Sequence, residues 1–143
     1  MLRSGLVVAA LAACALLGCR SQAKRALEVE AARLGQAIDA LRAAPNEAKA
    51  PLLRALEATP CSSAPACELK NVCSTAYARH VSAVEASNRA AALLKQPGDD
   101  TAATLDAAGE LARAELDLAS ARELTERCAA AQGELRRSVR SVD

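Results

Sequence analysis

A core for this chain has to be assembled almost without rings, because its 143 residues include one Tyr, no Phe and no Trp. Aromatic side chains ordinarily bury about 150–250 Å² each and dominate core packing, so burial here falls to Leu and Ala. Alanine, roughly a quarter of the residues, is the best helix former and lets helix axes approach near the short end of the usual ~8–10 Å range. No strand signal competes, since β-branched residues are scattered and never alternate over a useful length. Small side chains leave a modest hydrophobic contribution at about 25 cal/mol per Å², and covalent cross-links are expected to supplement it.

The apolar spacing predicts an all-α fold. Between residues 21 and 44, Leu27, Ala31, Leu34, Ile38 and Leu41 recur at steps of three and four on one side of a helix. Pro45 then disfavours helical geometry at Ala44 and removes a backbone donor. A second piece carries Leu52, Leu53 and Leu56, with Pro51 suited to its first turn, so residues 21–58 form one arm, bent or broken near Pro45. The segment Pro60-Cys61-Ser62-Ser63-Ala64-Pro65-Ala66-Cys67 reads as a connector, in which Ser62 or Ser63 can cap the next helix. That helix runs over about 65–95, with Leu69, Val72, Cys73, Ala76, His80, Val84, Ala91 and Leu94 broadly on one face. Gln96-Pro97-Gly98-Asp99-Asp100 is the clearest break. The last arm, 101–139, carries a near-heptad stripe of Ala107, Leu111, Ala114, Leu118, Ala121, Leu124, Cys128, Ala131 and Leu135. Three arms of similar length predict an up-down-up three-helix bundle with coiled-coil-like packing. Arg136, Arg137 and Arg140 crowd the end of the last arm, where a helix dipole favours cations.

The first 19 residues read as an address. Arg3 precedes an apolar run from Leu6 to Gly18, too short for the about 20 residues of a membrane-spanning helix and followed by Arg20, Lys24 and Arg25. A basic start, a short apolar middle and a small residue before a cut form a secretory signal. The run ends Leu16-Leu17-Gly18-Cys19, which resembles the lipobox of bacterial lipoproteins. That resemblance implies removal of residues 1–18, attachment of a diacylglyceryl group to the Cys19 sulfur, and acylation of the new amino terminus. Leu11-Ala12-Ala13-Cys14 also fits the motif, but a cut before Cys14 leaves an apolar region of only about 8 residues, so Cys19 is preferred over Cys14. Arg20 stands where Asp marks inner-membrane retention in enteric bacteria, which implies an outer-membrane location facing the periplasm. The acylated Cys19 then partners membrane lipid, and residues 19–143 form a single domain. One acyl chain holds a membrane only marginally and a second makes anchoring stable; the lipoprotein pattern implies three.

Cys61, Cys67, Cys73 and Cys128 remain, and an even number in an exported chain reads as two disulfides. Their five-residue gaps do not suit the spacing of structural zinc sites. Cys73 and Cys128 lie on the apolar stripes of two helices meeting at the 96–100 turn, and their midpoint near that turn places them at similar heights. This favours Cys73 with Cys128 and Cys61 with Cys67. The rival set, Cys67 with Cys128 and Cys61 with Cys73, has a midpoint that fits the turn as well.

Nothing in the sequence composes an active site. His80 is the only histidine, and a hydrolytic triad needs an orienting partner and an oxyanion hole that no motif supplies. Removing Arg3 with the leader reduces the 18 Lys and Arg to 17, equal to the 17 Asp and Glu, so no nucleic-acid footprint exists. The carboxylates are mixed with arginine in the manner of solvated helix faces. The expectation is a non-enzymatic, cofactor-free structural or interaction lipoprotein that binds another envelope protein, with self-association through a solvent-facing stripe open to it. The alternative is a small-ligand or metal binder that uses His80, Tyr77 and unpaired cysteines.

Overall fold

The structure is a computed structural model that describes residues 4–95 and 101–141, with side chains from Gln22 onward. It is all-helical over the described residues. The helices are α1 (Ser4–Ala43), α2 (Asn46–Ala58), α3 (Ala64–Leu93) and α4 (Thr101–Arg140). The bundle therefore has four helices where the spacing predicts three, because the break at Pro45 is complete. Pro45 adopts φ −64° and ψ 160°, an extended conformation from which the chain starts α2 afresh. Helix α2 begins at Asn46, and Pro51 lies inside it rather than in its first turn. The bond that a residue 51 amide would make to the Glu47 carbonyl is forfeited. Burial of Leu53 and Leu56 on the core holds the helix through that defect.

The main core gathers Leu34, Ile38 and Leu41 from α1 with Leu53 and Leu56 from α2, closed by Leu69, Cys73 and Tyr77 of α3 and Cys128 and Leu135 of α4. Leu27 and Ala31 pack against it partly buried, so the predicted α1 stripe is the buried one. The stripe of α4 differs. Its fully inward positions recur every seven residues, at Ala107, Ala114, Ala121, Cys128 and Leu135, while Leu111 and Leu118 are exposed. A two-helix contact covers a narrower seam than a bundle does. The α1–α2 turn meets α3 at His80, where Asn46 Oδ1 lies 3.0 Å from Nε2. From there α3 runs on to Leu93, about 20 Å at 1.5 Å per residue, paired with the first half of α4. Its buried face also turns, to Ala83, Ala86 and Ala90, leaving Leu94 exposed. In this arm alanines touch alanines, with Ala83, Ala86 and Ala114 forming a separate small cluster. The Pro-Gly break at 96–100 lies outside the described residues.

Candidate functional site

The cysteines that the sequence singles out fall into two groups. Cys14 and Cys19 lie within α1, and their side chains are outside those described. Of the three pairings open to the other four, the structure forms Cys61–Cys67 and Cys73–Cys128, with Cα–Cα separations of 5.3 and 4.8 Å. Cys73 and Cys128 are buried among the core leucines, joining α3 to α4 at the level where α1 and α2 pack. The smaller bridge closes the connector before α3. Ser63 occupies the N-cap position of α3 but makes no capping bond from its side chain. Its hydroxyl instead donates to Glu30 Oε2 at 2.7 Å, while the Ser62 hydroxyl and amide donate to Oε1 at 2.5 and 2.6 Å. The connector is thereby tied to α1. The two serine hydroxyls, aided by the backbone amides and opposed by partial burial, hold the Glu30 carboxyl down at about 2.

A buried lysine lies at the α1–α2 turn. Lys49 Nζ donates to the carbonyls of Leu41 and Ala44, both at 2.8 Å, and stands 5.9 Å from the centroid of the Tyr77 ring. Leu41 lies in the last turn of α1 and Ala44 just past its end, where carbonyls have no further helix to satisfy them, and the ring face is favourable to a cation. His80 sits above this cluster, facing Asn46. Burial, with Lys49 nearby, pushes its pKa below the ordinary imidazole value. Tyr77 thus packs as a core residue against Lys49, and His80 bonds an amide. Neither has a thiol to work with, because all four cysteines of the body are consumed in bridges. Among the described residues no group of three or more His, Cys, Asp or Glu is close enough to hold a metal ion.

The arm carries a polar ladder beside its alanine seam. Asp117, buried, accepts from the Ser82 hydroxyl at 2.7 Å and from Arg79 at 3.0 Å; the serine bond, then the arginine, lower its pKa. Two α-helical turns before it, Glu110 accepts two bonds from Arg89 at 2.9 and 3.1 Å, and its pKa is lowered chiefly by that contact. Each carboxylate joins α4 to α3, so the ladder fixes the pairing of two helices whose alanines would tolerate sliding.

A cleft of about 400 Å³ opens between α1 and the carboxyl end of α4, lined by Glu28, Gly35, Gln36, Asp39, Arg136 and Arg140 among others. Behind it, Gln132 accepts from Arg42 at 3.1 Å through Oε1, and its buried Nε2 has no hydrogen-bond partner in the protein. No protein-family model, curated protein or solved structure matches the chain. The cleft is open and mixed in charge, with the carboxylates of Glu28 and Asp39 facing the guanidinium groups of Arg136 and Arg140 across it. Sequence patterning does not reveal Glu30, Lys49, Asp117 or Gln132 as partners. The S-S pair after a helix carrying Glu30 holds the one faint signal, since adjacent hydroxyls and amides are a usual carboxylate cradle.

Proposed function

We propose that the chain is a lipid-anchored envelope protein, exported, cut before Cys19 and acylated there, whose helical body serves as a structural or protein-interaction module at the periplasmic face of the outer membrane. The order Leu16-Leu17-Gly18-Cys19 behind Arg3 and a short apolar run carries this reading. The two disulfides support it, since such bridges persist in oxidising compartments and are rare in the cytosol. No described helix is long and apolar enough to cross a membrane. For the interaction role the support is the arm: Leu105 and Leu116 of α4 are 68% and 74% exposed, on an element that extends beyond the main core. The small-ligand or metal alternative draws less support because its thiols are bonded to one another.

Intact-mass analysis of the membrane form, reduced and unreduced, tests the anchor. The expected product begins at Cys19, carries acyl chains and gains four mass units on reduction of two disulfides. Cys19→Ser abolishes the acylated species and releases the chain from the membrane fraction, whereas Cys14→Ser does not. An unmodified mass, or unchanged sedimentation of Cys19→Ser, rejects the anchor. Cross-linking in intact cells followed by affinity capture tests the module, with Leu105→Glu/Leu116→Glu expected to lose the partners that the native chain retains. A capture with no reproducible partner rejects it.

A further inference from the structure

We infer that the anchor end of this bundle is a cationic collar that docks on an anionic phospholipid surface, a reading that deepens the proposed lipid anchoring and rests on it. The segment after Cys19 carries Arg20, Lys24 and Arg25 and no carboxylate until Glu28. The carboxyl end of α4 carries Arg136, Arg137 and Arg140 and no carboxylate from Leu135 to Ser141. These stretches lie over a hundred residues apart in the chain, and the fold brings them to one end. Arg136 and Arg140 line a cleft with Glu28 of α1, which stands about 14 Å along the helix from Cys19 at 1.5 Å per residue.

The helix dipole accounts for cations in the final turn of α4, since its effect falls off within a turn. It does not account for Lys24 and Arg25, which lie in the middle of α1. Nor are the α4 cations neutralised locally: Arg137 meets Glu134 only at 4.0 Å, with both side chains 73% exposed, a geometry worth little. Glu28 and Glu134 set the inner edge of the collar. Between Gln96 and Ala112 the sequence has the reverse bias, with Asp99, Asp100, Asp106 and Glu110 and no cation, bounded by Lys95 and Arg113. The near-zero net charge of the mature chain thus conceals a polar distribution. Clusters of four to eight cations beside a membrane attachment are held by anionic headgroups, and that attraction decays within a Debye length. Arg20, Lys24 and Arg25 fall within about 9 Å of the anchor along the helix; the α4 cations stand beside α1 residues about 14 Å and more from it, so they meet the surface when the bundle leans onto that side.

Docking would hold the bundle at a defined angle instead of leaving it to swing on its acyl chains. The test uses the mature chain with Cys19→Ser, made behind an ordinary cleavable leader; among the described residues every member of the main core lies from Leu27 onward, so this chain keeps that core and both disulfides. Vesicles of phosphatidylcholine alone are compared with vesicles containing about 30% phosphatidylglycerol, at low and high salt. The chain is expected to sediment with the anionic vesicles only, and to be released by salt. R136Q/R137Q/R140Q is expected to weaken that binding about tenfold or more, while K95Q/R113Q at the far end of the hairpin leaves it unchanged. Equal binding to both vesicles, full affinity in the triple variant, or an equal loss in the far-end variant overturns the collar. Binding that follows the expected pattern while the native chain proves unacylated rejects the anchor and leaves the collar standing.

Discussion

Lys49 Nζ donates to the Leu41 carbonyl at 2.8 Å, so a side chain from α2 closes the last turn of α1. The same ammonium takes the Ala44 carbonyl and faces the Tyr77 ring, which makes three elements depend on one charge. Hydrogen bonds from charged groups contribute more than neutral ones, and a buried acceptor left unmatched is penalised. Lys49→Met fills similar volume but donates nothing. It is expected to lower stability by about 2 kcal/mol, read from the urea midpoint at unchanged slope. An unaltered midpoint would show that water serves these carbonyls equally well.

The two disulfides differ in the length of chain they close. Cys73–Cys128 spans a sequence separation of 55 and Cys61–Cys67 one of 6. In the chain-entropy account these loops contribute about 4 and about 2 kcal/mol. Cys73→Ala/Cys128→Ala also empties space among core leucines, so its loss is expected to exceed that of Cys61→Ala/Cys67→Ala by at least about 2 kcal/mol. Thermal unfolding of the two double variants decides the order. A larger loss from the connector pair would mean that the Glu30 cradle, and not the core, governs stability.

How far the sequence foretells this fold depends on what each residue needs in order to be understood. The α1 stripe of Leu34, Ile38 and Leu41 is legible because a helix packed on several neighbours buries a broad apolar face. Leu111 and Leu118 mislead for the converse reason. Their spacing is right, but in a two-helix arm the seam is narrow and alanine fits it better. The break at Pro45 is legible as a break; that it separates two independent helices depends on Lys49, whose role is set by the carbonyls it meets. Glu30, Asp117 and Gln132 read as ordinary surface polar residues, since their partners lie 32 to 90 positions away.

Acid is expected to destabilise the protein through Glu30. Its folded pKa, about 2, lies below the ordinary value of 4.5, so the stabilisation is complete above the unfolded value and is lost as pH falls from about 5 toward 2. Asp117 and Glu110 are shifted in the same direction and add to the loss. His80, also lowered, favours the folded state when neutral, so its part appears earlier, as pH drops below the unfolded histidine value. Glu30→Gln retains acceptor capacity without the charge. It is expected to unfold more easily than the native chain at pH 7 and to lose less between pH 5 and 3. Parallel stability profiles of the two chains would leave the serine cradle without an energetic role.

Gly109 offers the opposite kind of change. It lies inside α4, and a Cβ built there meets nothing within 4 Å. Glycine in a helix interior is less favourable than alanine by about 1 kcal/mol, because its backbone loses more freedom on folding. No close approach or turn demands it here. Gly109→Ala is therefore expected to stabilise the chain by about 0.5 to 1 kcal/mol, raising the melting temperature by about 2 to 4 °C for a domain of this size. The gain requires that the arm unfold together with the core. If the arm frays separately, hydrogen exchange at α4 amides near Gly109 slows while the global midpoint stays fixed. The covalent bridge at Cys73–Cys128 and the Asp117 and Glu110 contacts run along one helix pair, and this continuity favours a single cooperative transition.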